Sequence, residues 1–155
     1  MTFRITGLSP EPFRPLFGLS DEALSAHRVR RLIVDGTANM PDRIEVRDAE
    51  PGESVLLLNY EHQPAKTPFQ ASHAIFVREW AGAAYDRTDE IPPAMRTRTL
   101  SLRAFDADDF MIDADLVDGR EVQTLIARMF AHPKVAYIHA HYAKWGCYAA
   151  RIDRG

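Results

Sequence analysis

The clearest pattern of apolar and polar positions in the chain is helical. In "GREVQTLIARMFAH", Val122, Leu125, Ile126, Met129 and Phe130 recur on one stripe of 3.6-residue period, which predicts a helix over 119–131. Asp118 and Glu121 have capping-box spacing, with Asp in place of Ser or Thr, and His132 and Pro133 end the helix. Elsewhere the period is two. "VRRLIVDG" and "DRIEVRD" predict strands, and "SVLLLNYEH", the most apolar run, predicts a strand central in its sheet. "HAIFVREW" predicts another strand beyond the loop "QPAKTPFQAS". Prolines 10, 12 and 15 limit "SPEPFRPLFGL" to a turn or two of helix, with Ser9 as cap, and Ser20 caps a second short helix in "SDEALSAH". Residues 81–96 show no period and read either as a lid or binding loop or as a surface wrap.

"TLSLRAFDADDFMIDADLVDG" predicts a hairpin with a three-residue loop, Ala107-Asp108-Asp109, and Asp109 left-handed. Leu100, Leu102 and Ala104 then oppose Leu116, Ala114 and Ile112 on an apolar face, while Arg103 opposes Asp113 as a cross-strand ion pair. "VAYIHAHYA" and "CYAARIDR" form a second hairpin about "KWG". A two-residue loop, Lys144-Trp145, sets Cys147 opposite Tyr142, away from the histidines. A three-residue loop ending on Gly146 sets it opposite Ala143, on the face of His139 and His141. The three-residue loop is preferred, because it gives glycine the left-handed position and gathers Ile138, Ala140, Tyr142, Tyr148, Ala150 and Ile152 on one apolar face. Strand, strand, helix, strand, strand is the order of an α+β domain with a mainly antiparallel or mixed sheet, one domain over 1–155.

Composition narrows the function classes. At 155 residues, 46% hydrophobic and 26% charged, the chain has the makeup of an ordinary globular protein, and no apolar run approaches a membrane span. "MTFRITGLSP" lacks the basic-then-apolar pattern of a secretory signal, and a single cysteine excludes an internal disulfide. Both favour a reducing, cytoplasmic home. A net charge of −3 argues against nucleic-acid partners, and "HRVRRL" is a short basic cluster with no interleaved aromatics.

Candidate chemistry concentrates in the last hairpin. On the preferred register His139, His141, Cys147, Arg151 and Asp153 share a face, with Cys147 and His141 diagonal neighbours roughly 7–8 Å apart. His-X-His suits a transition metal such as zinc, whose further ligands would be Cys147 and, from the two ends of "QPAKTPFQAS", His62 and His73. Cys147 with His141 as base is the nucleophilic alternative, and a small buried hydrophobe is the plain one. Arg151 would hold an anion. Asn59, Glu61 and His62 lie at the exit of the most apolar strand, His62 on the opposite face from the other two. "DADDFMIDAD" has the acidity of a calcium loop, but Phe110 and Met111 stand where a ligand and the turn glycine belong.

The segments "GESVLLLNYEHQPAKTPFQASHAIFVRE", "LSLRAFDADDFMIDADLVDG" and "VAYIHAHYAKWGCYAARIDR" together resemble a family of small bacterial proteins catalogued as domain of unknown function 1203. The resemblance covers essentially the whole chain and implies a single-domain bacterial protein without implying an activity. Relatives often carry a cysteine where this chain has Asp42, before Arg43, so the resemblance does not extend to a two-thiol redox role here. Two functions are therefore expected: a small-ligand- or metal-binding protein or enzyme using the polar hairpin face, or an interaction domain that forms a homo-oligomer through a sheet edge or residues 81–96. No membrane or nucleic-acid partner is expected, and a small anionic ligand is.

Overall fold

The computed structural model describes residues 1–155. Nine strands form two antiparallel sheets. The larger has the order β5 (Asp86–Thr88), β1 (Phe3–Thr6), β9 (Tyr148–Arg154), β8 (Tyr137–Tyr142), β6 (Thr99–Phe105), β7 (Met111–Asp118). The smaller places β3 (Ser54–Gln63) between β2 (Arg30–Ile33) and β4 (Ala71–Arg78). The fold is α+β, and the most apolar strand of the sequence is central in its sheet as expected.

Helix α3 (Val122–Phe130) buries Val122, Leu125, Ile126, Met129 and Phe130 against Leu100, Leu102, Ala104, Ile138, Ala140 and Ile152 of the large sheet. Its entry differs from a capping box. The Asp118 carboxylate accepts the Arg120 backbone N–H, a 3₁₀ turn fills Gly119–Glu121, and Glu121 makes no cap bond. Gly119 is fixed by space, since a Cβ there would fall 1.9 Å from the Met95 carbonyl oxygen. Near the N-terminus, Ser20 Oγ accepts the Ala23 N–H at 3.1 Å and caps α1 (Asp21–Ala26), as the sequence predicts. A 3₁₀ turn, Glu11–Leu16, occupies the proline-rich stretch. Residues 81–96 wrap the surface: β5 pairs with β1 at the sheet edge, and the one-turn α2 (Pro93–Arg96) buries Ala94 and Met95.

Three expectations need correction. "DRIEVRD" is a turn rather than a strand. The buried Asp42 carboxylate accepts the Glu45 N–H at 2.6 Å and the Arg78 N–H at 2.7 Å, and Val46 adopts φ 52°. This kink lets Ile44 enter the small-sheet core and Val46 the large one, two destinations that a regular strand does not serve. In the β6–β7 hairpin Asp109 is left-handed as expected, with φ 63°, but the register slips between Ala104 and Phe105, so Leu102 faces Asp115 and Arg103 faces Ala114. The predicted Arg103–Asp113 pair therefore does not form. β7 is an edge strand, and Arg128 of α3 pairs with both Asp113 (3.3 Å) and Asp115 (3.0 Å), which lets the acids face the helix side.

The third correction concerns the last hairpin. His139 faces Arg151, as a three-residue loop requires. The register then shifts between Ala140 and His141, so that His141 faces Tyr148. Tyr142 N–H bonds to the Cys147 carbonyl, and Gly146 takes φ 78° at the end of the turn. The shift moves Cys147 onto the helix side and brings Tyr148 to the histidine face, the reverse of the expected arrangement.

Candidate functional site

β8 lies between β6 and β9, so the side chains on its far face from α3 are walled on both sides. His139 has Arg103 as its β6 partner and Arg151 as its β9 partner, and His141 has Ser101 and Tyr148. The end of the β3–β4 hairpin closes over this face. A register irregularity between Tyr60 and Gln63 allows consecutive residues to reach inward: His62 meets the other histidines, and Gln63 Nε2 donates to Tyr137 Oη at 2.9 Å. Ring centroids of His62 and His141 are 5.0 Å apart, and His62 stacks on Tyr148 at 5.4 Å. Phe105, Tyr137 and Tyr148 each lie 5.1 to 5.2 Å from His139, enclosing it in aromatic rings.

The result is a buried cluster of three imidazoles. His139 is 5% and His141 1% exposed, with His62 half-buried. One ligand nitrogen from each lies within 4.8 Å of the others, and the chain holds no other such grouping of three. Burial holds all three rings neutral. It pushes His139 and His141 down to about 3 and His62 to about 4, with the charge of Arg151 adding most at His139 and that of Arg103 most at His62 and His141. His141 Nδ1 stands 3.0 Å from the Gly146 carbonyl; a carbonyl only accepts, so Nδ1 carries the proton and Nε2 keeps its lone pair. The Nδ1 atoms of His62 and His139 are buried without any partner.

Beside the cluster is a cavity of about 290 Å³, lined by His62, His139, Gln63, Tyr137, Asp109 and Arg151 among others. Tyr137 Oη donates to Asp109 at 2.6 Å, which ties the β6–β7 turn to the cavity wall. The Arg151 guanidinium lies 4.2 Å over the Tyr137 ring and pairs with Asp153 at 3.0 Å. Arg103, on the other flank of His139, pairs with no carboxylate; its one polar contact is Ser101 Oγ at 3.5 Å.

The structure thus brings His62, His139, His141 and Arg151 together and leaves two other candidates outside. Cys147 is buried on the opposite face in the large core, its Sγ 3.0 Å from Arg43 Nη2. The hairpin shift sends it there, and Arg43, itself 1% exposed, bonds also to the Tyr148 and Pro41 carbonyls and lies 4.9 Å over the Tyr142 ring. Cys147 therefore lies on the other face of the sheet from His141 and is not among the three clustered residues. His73 sits on β4 with Nδ1 3.0 Å from the carbonyl of its neighbour Ala74, outside the cluster. Sequence reasoning missed Tyr148, Tyr137, Gln63 and Arg103. Alternation along β6 carried a signal for Arg103, but only a correct β6–β8 pairing makes it a neighbour of His139.

Fold and site together define an α+β domain that gathers three neutral imidazoles where two antiparallel sheets meet. The chain belongs to the family described as protein of unknown function (DUF1203), which matches residues 39–154 and so includes all three histidines. Comparison with curated proteins and with solved structures gives no match. No helix is long and apolar enough to cross a membrane.

Proposed function

We propose that this protein binds one divalent transition metal through His62, His139 and His141. The observation that carries the reading is the convergence of three neutral imidazoles, two of them with buried, unpartnered nitrogens. Unpartnered buried polar atoms are costly, and a metal satisfies them. All-nitrogen imidazole sets suit zinc, copper, iron or nickel. A tetrahedral ion with bonds of about 2.0–2.1 Å holds its nitrogens about 3.4 Å apart. The observed limit of 4.8 Å then asks the rings to close by at most about 1.4 Å. The Gly146 carbonyl supports the arrangement by fixing the His141 tautomer, as partners behind metal-binding histidines do. Three protein ligands leave a fourth position open, the pattern of sites that bind a small ligand or activate water. The single, unbridged cysteine accords with a reducing cytoplasmic location.

The test is elemental analysis of tag-free protein purified without chelator. Near-stoichiometric metal in the wild type, lost in both His139→Ala and His141→Ala but kept in Cys147→Ala, is the expected result. Metal-free wild type that also fails to take up added zinc or cobalt overturns the proposal. A second reading, association between copies, is favoured by the free edge β7, where Leu116 is 64% and Ile112 40% exposed. Size-exclusion chromatography with light scattering tests it, and a Leu116→Lys variant should release monomer.

A further inference from the structure

We infer that the ligand of this site is a small oxyanion, a carboxylate or phosphate group, held jointly by the metal's open position and by Arg103; the inference rests on the metal reading above. The argument is one of charge. His62, His139 and His141 are neutral ligands, so a divalent ion bound to them keeps its full charge. The sheet then sets a guanidinium on each side of His139, Arg103 from β6 and Arg151 from β9. Arg151 is compensated by Asp153 at 3.0 Å. Asp109, the carboxylate of the cavity wall, is already engaged by Tyr137 at 2.6 Å.

Arg103 has no such partner. It is half-buried, its only polar contact is the 3.5 Å approach to Ser101, and its charge is felt at all three imidazoles. A guanidinium and a divalent ion sharing one partly buried site repel each other unless an anion lies between them. The planar fork of an arginine fits two oxygens of a carboxylate or phosphate. Direct strand partners have Cβ atoms about 4.5–5.5 Å apart, so Arg103 is within side-chain reach of a ligand on the metal beside His139.

Cobalt(II) is the probe, because its visible spectrum reports both binding and a change of ligand. Metal-free protein is titrated with cobalt in a phosphate- and carboxylate-free buffer, then with inorganic phosphate and, separately, with acetate. At least one anion should give a saturable spectral change in the wild type, and which one does so distinguishes the two sources of oxyanion. In Arg103→Gln the anion midpoint should rise by about tenfold or more, the loss of one charge-assisted contact. Arg103→Lys should fall between them, since it keeps the charge and loses the fork. Cobalt stoichiometry and circular dichroism of each variant separate loss of the anion from loss of the metal or of the fold. Cobalt binding with a spectrum indifferent to both anions overturns this inference alone, as do equal midpoints in wild type and Arg103→Gln. Failure of the wild type to bind cobalt removes the metal reading and this inference with it.

Discussion

Acidification of the metal-free protein from pH 7 to pH 5 should remove a large part of its stability. His139 and His141 are held neutral by burial with folded values of about 3, whereas in the unfolded chain an imidazole titrates near 6.5. The unfolded state therefore binds more protons throughout the interval between those values, and stability falls as pH falls through it. Integrated from pH 7 to pH 5, each ring contributes a loss of about 2 kcal/mol, or about 4 kcal/mol for the pair. His62, pushed down to about 4, acts in the same direction, by less because solvent screens it more. Glu53 and Glu79, at about 2 in the folded chain, lose their contribution below pH 4.5, outside the interval. Asp42, pushed up by its own burial, opposes the trend. The assay is urea unfolding followed by circular dichroism in chelator-treated buffer at half-unit steps of pH. With a slope of about 2 kcal/mol per molar urea, the midpoint should fall by about 2 M. His139→Leu keeps Asp42 and removes one ring, so its midpoint should fall about half as far. A wild-type midpoint that moves by less than about 0.5 M between pH 7 and pH 5 would refute the assignment of buried neutral imidazoles.

Two substitutions away from the site test the fold. Arg43→Ala removes a fully buried guanidinium that bonds to two carbonyls and to Cys147, and should cost about 3–5 kcal/mol in chemical denaturation. Cys147→Ala, which deletes only one partner of that guanidinium, should cost less than Arg43→Ala. Gly119→Ala drives a methyl into the Met95 carbonyl at the entry to α3, and a loss of about 1–3 kcal/mol in thermal or urea unfolding is expected. An unchanged midpoint for Gly119→Ala would mean that the loop carrying Met95 yields freely.

What the sequence disclosed depended on how local the deciding contact was. The α3 stripe and the Ser20 cap follow from residues within a few positions of one another, and both appear as read. The β7 register did not, because Asp113 and Asp115 look solvent-bound until Arg128, more than a dozen residues on, arrives to pair with both. "DRIEVRD" alternates like a strand, yet its apolar residues serve two different cores, which no local period encodes. The last hairpin is the most instructive. Its far end follows the register of a three-residue loop, with His139 opposite Arg151, and its near end that of a two-residue loop, with Tyr142 opposite Cys147. Each candidate register was right over part of the hairpin, and the shift joining them decided that Tyr148 rather than Cys147 stands with the histidines. His139 and His141 were therefore legible as neighbours. The arrival of His62 was foreseeable only as one of two candidates from the overlying loop.

His139 and His141 come from the large sheet and His62 from the small one, and no stretch of either sheet alone contains the cluster. The three nitrogens become neighbours only after the β3–β4 hairpin has docked. Anything that binds all three works as a latch across the seam, and its affinity reads out how firmly the two halves of the molecule are closed on each other.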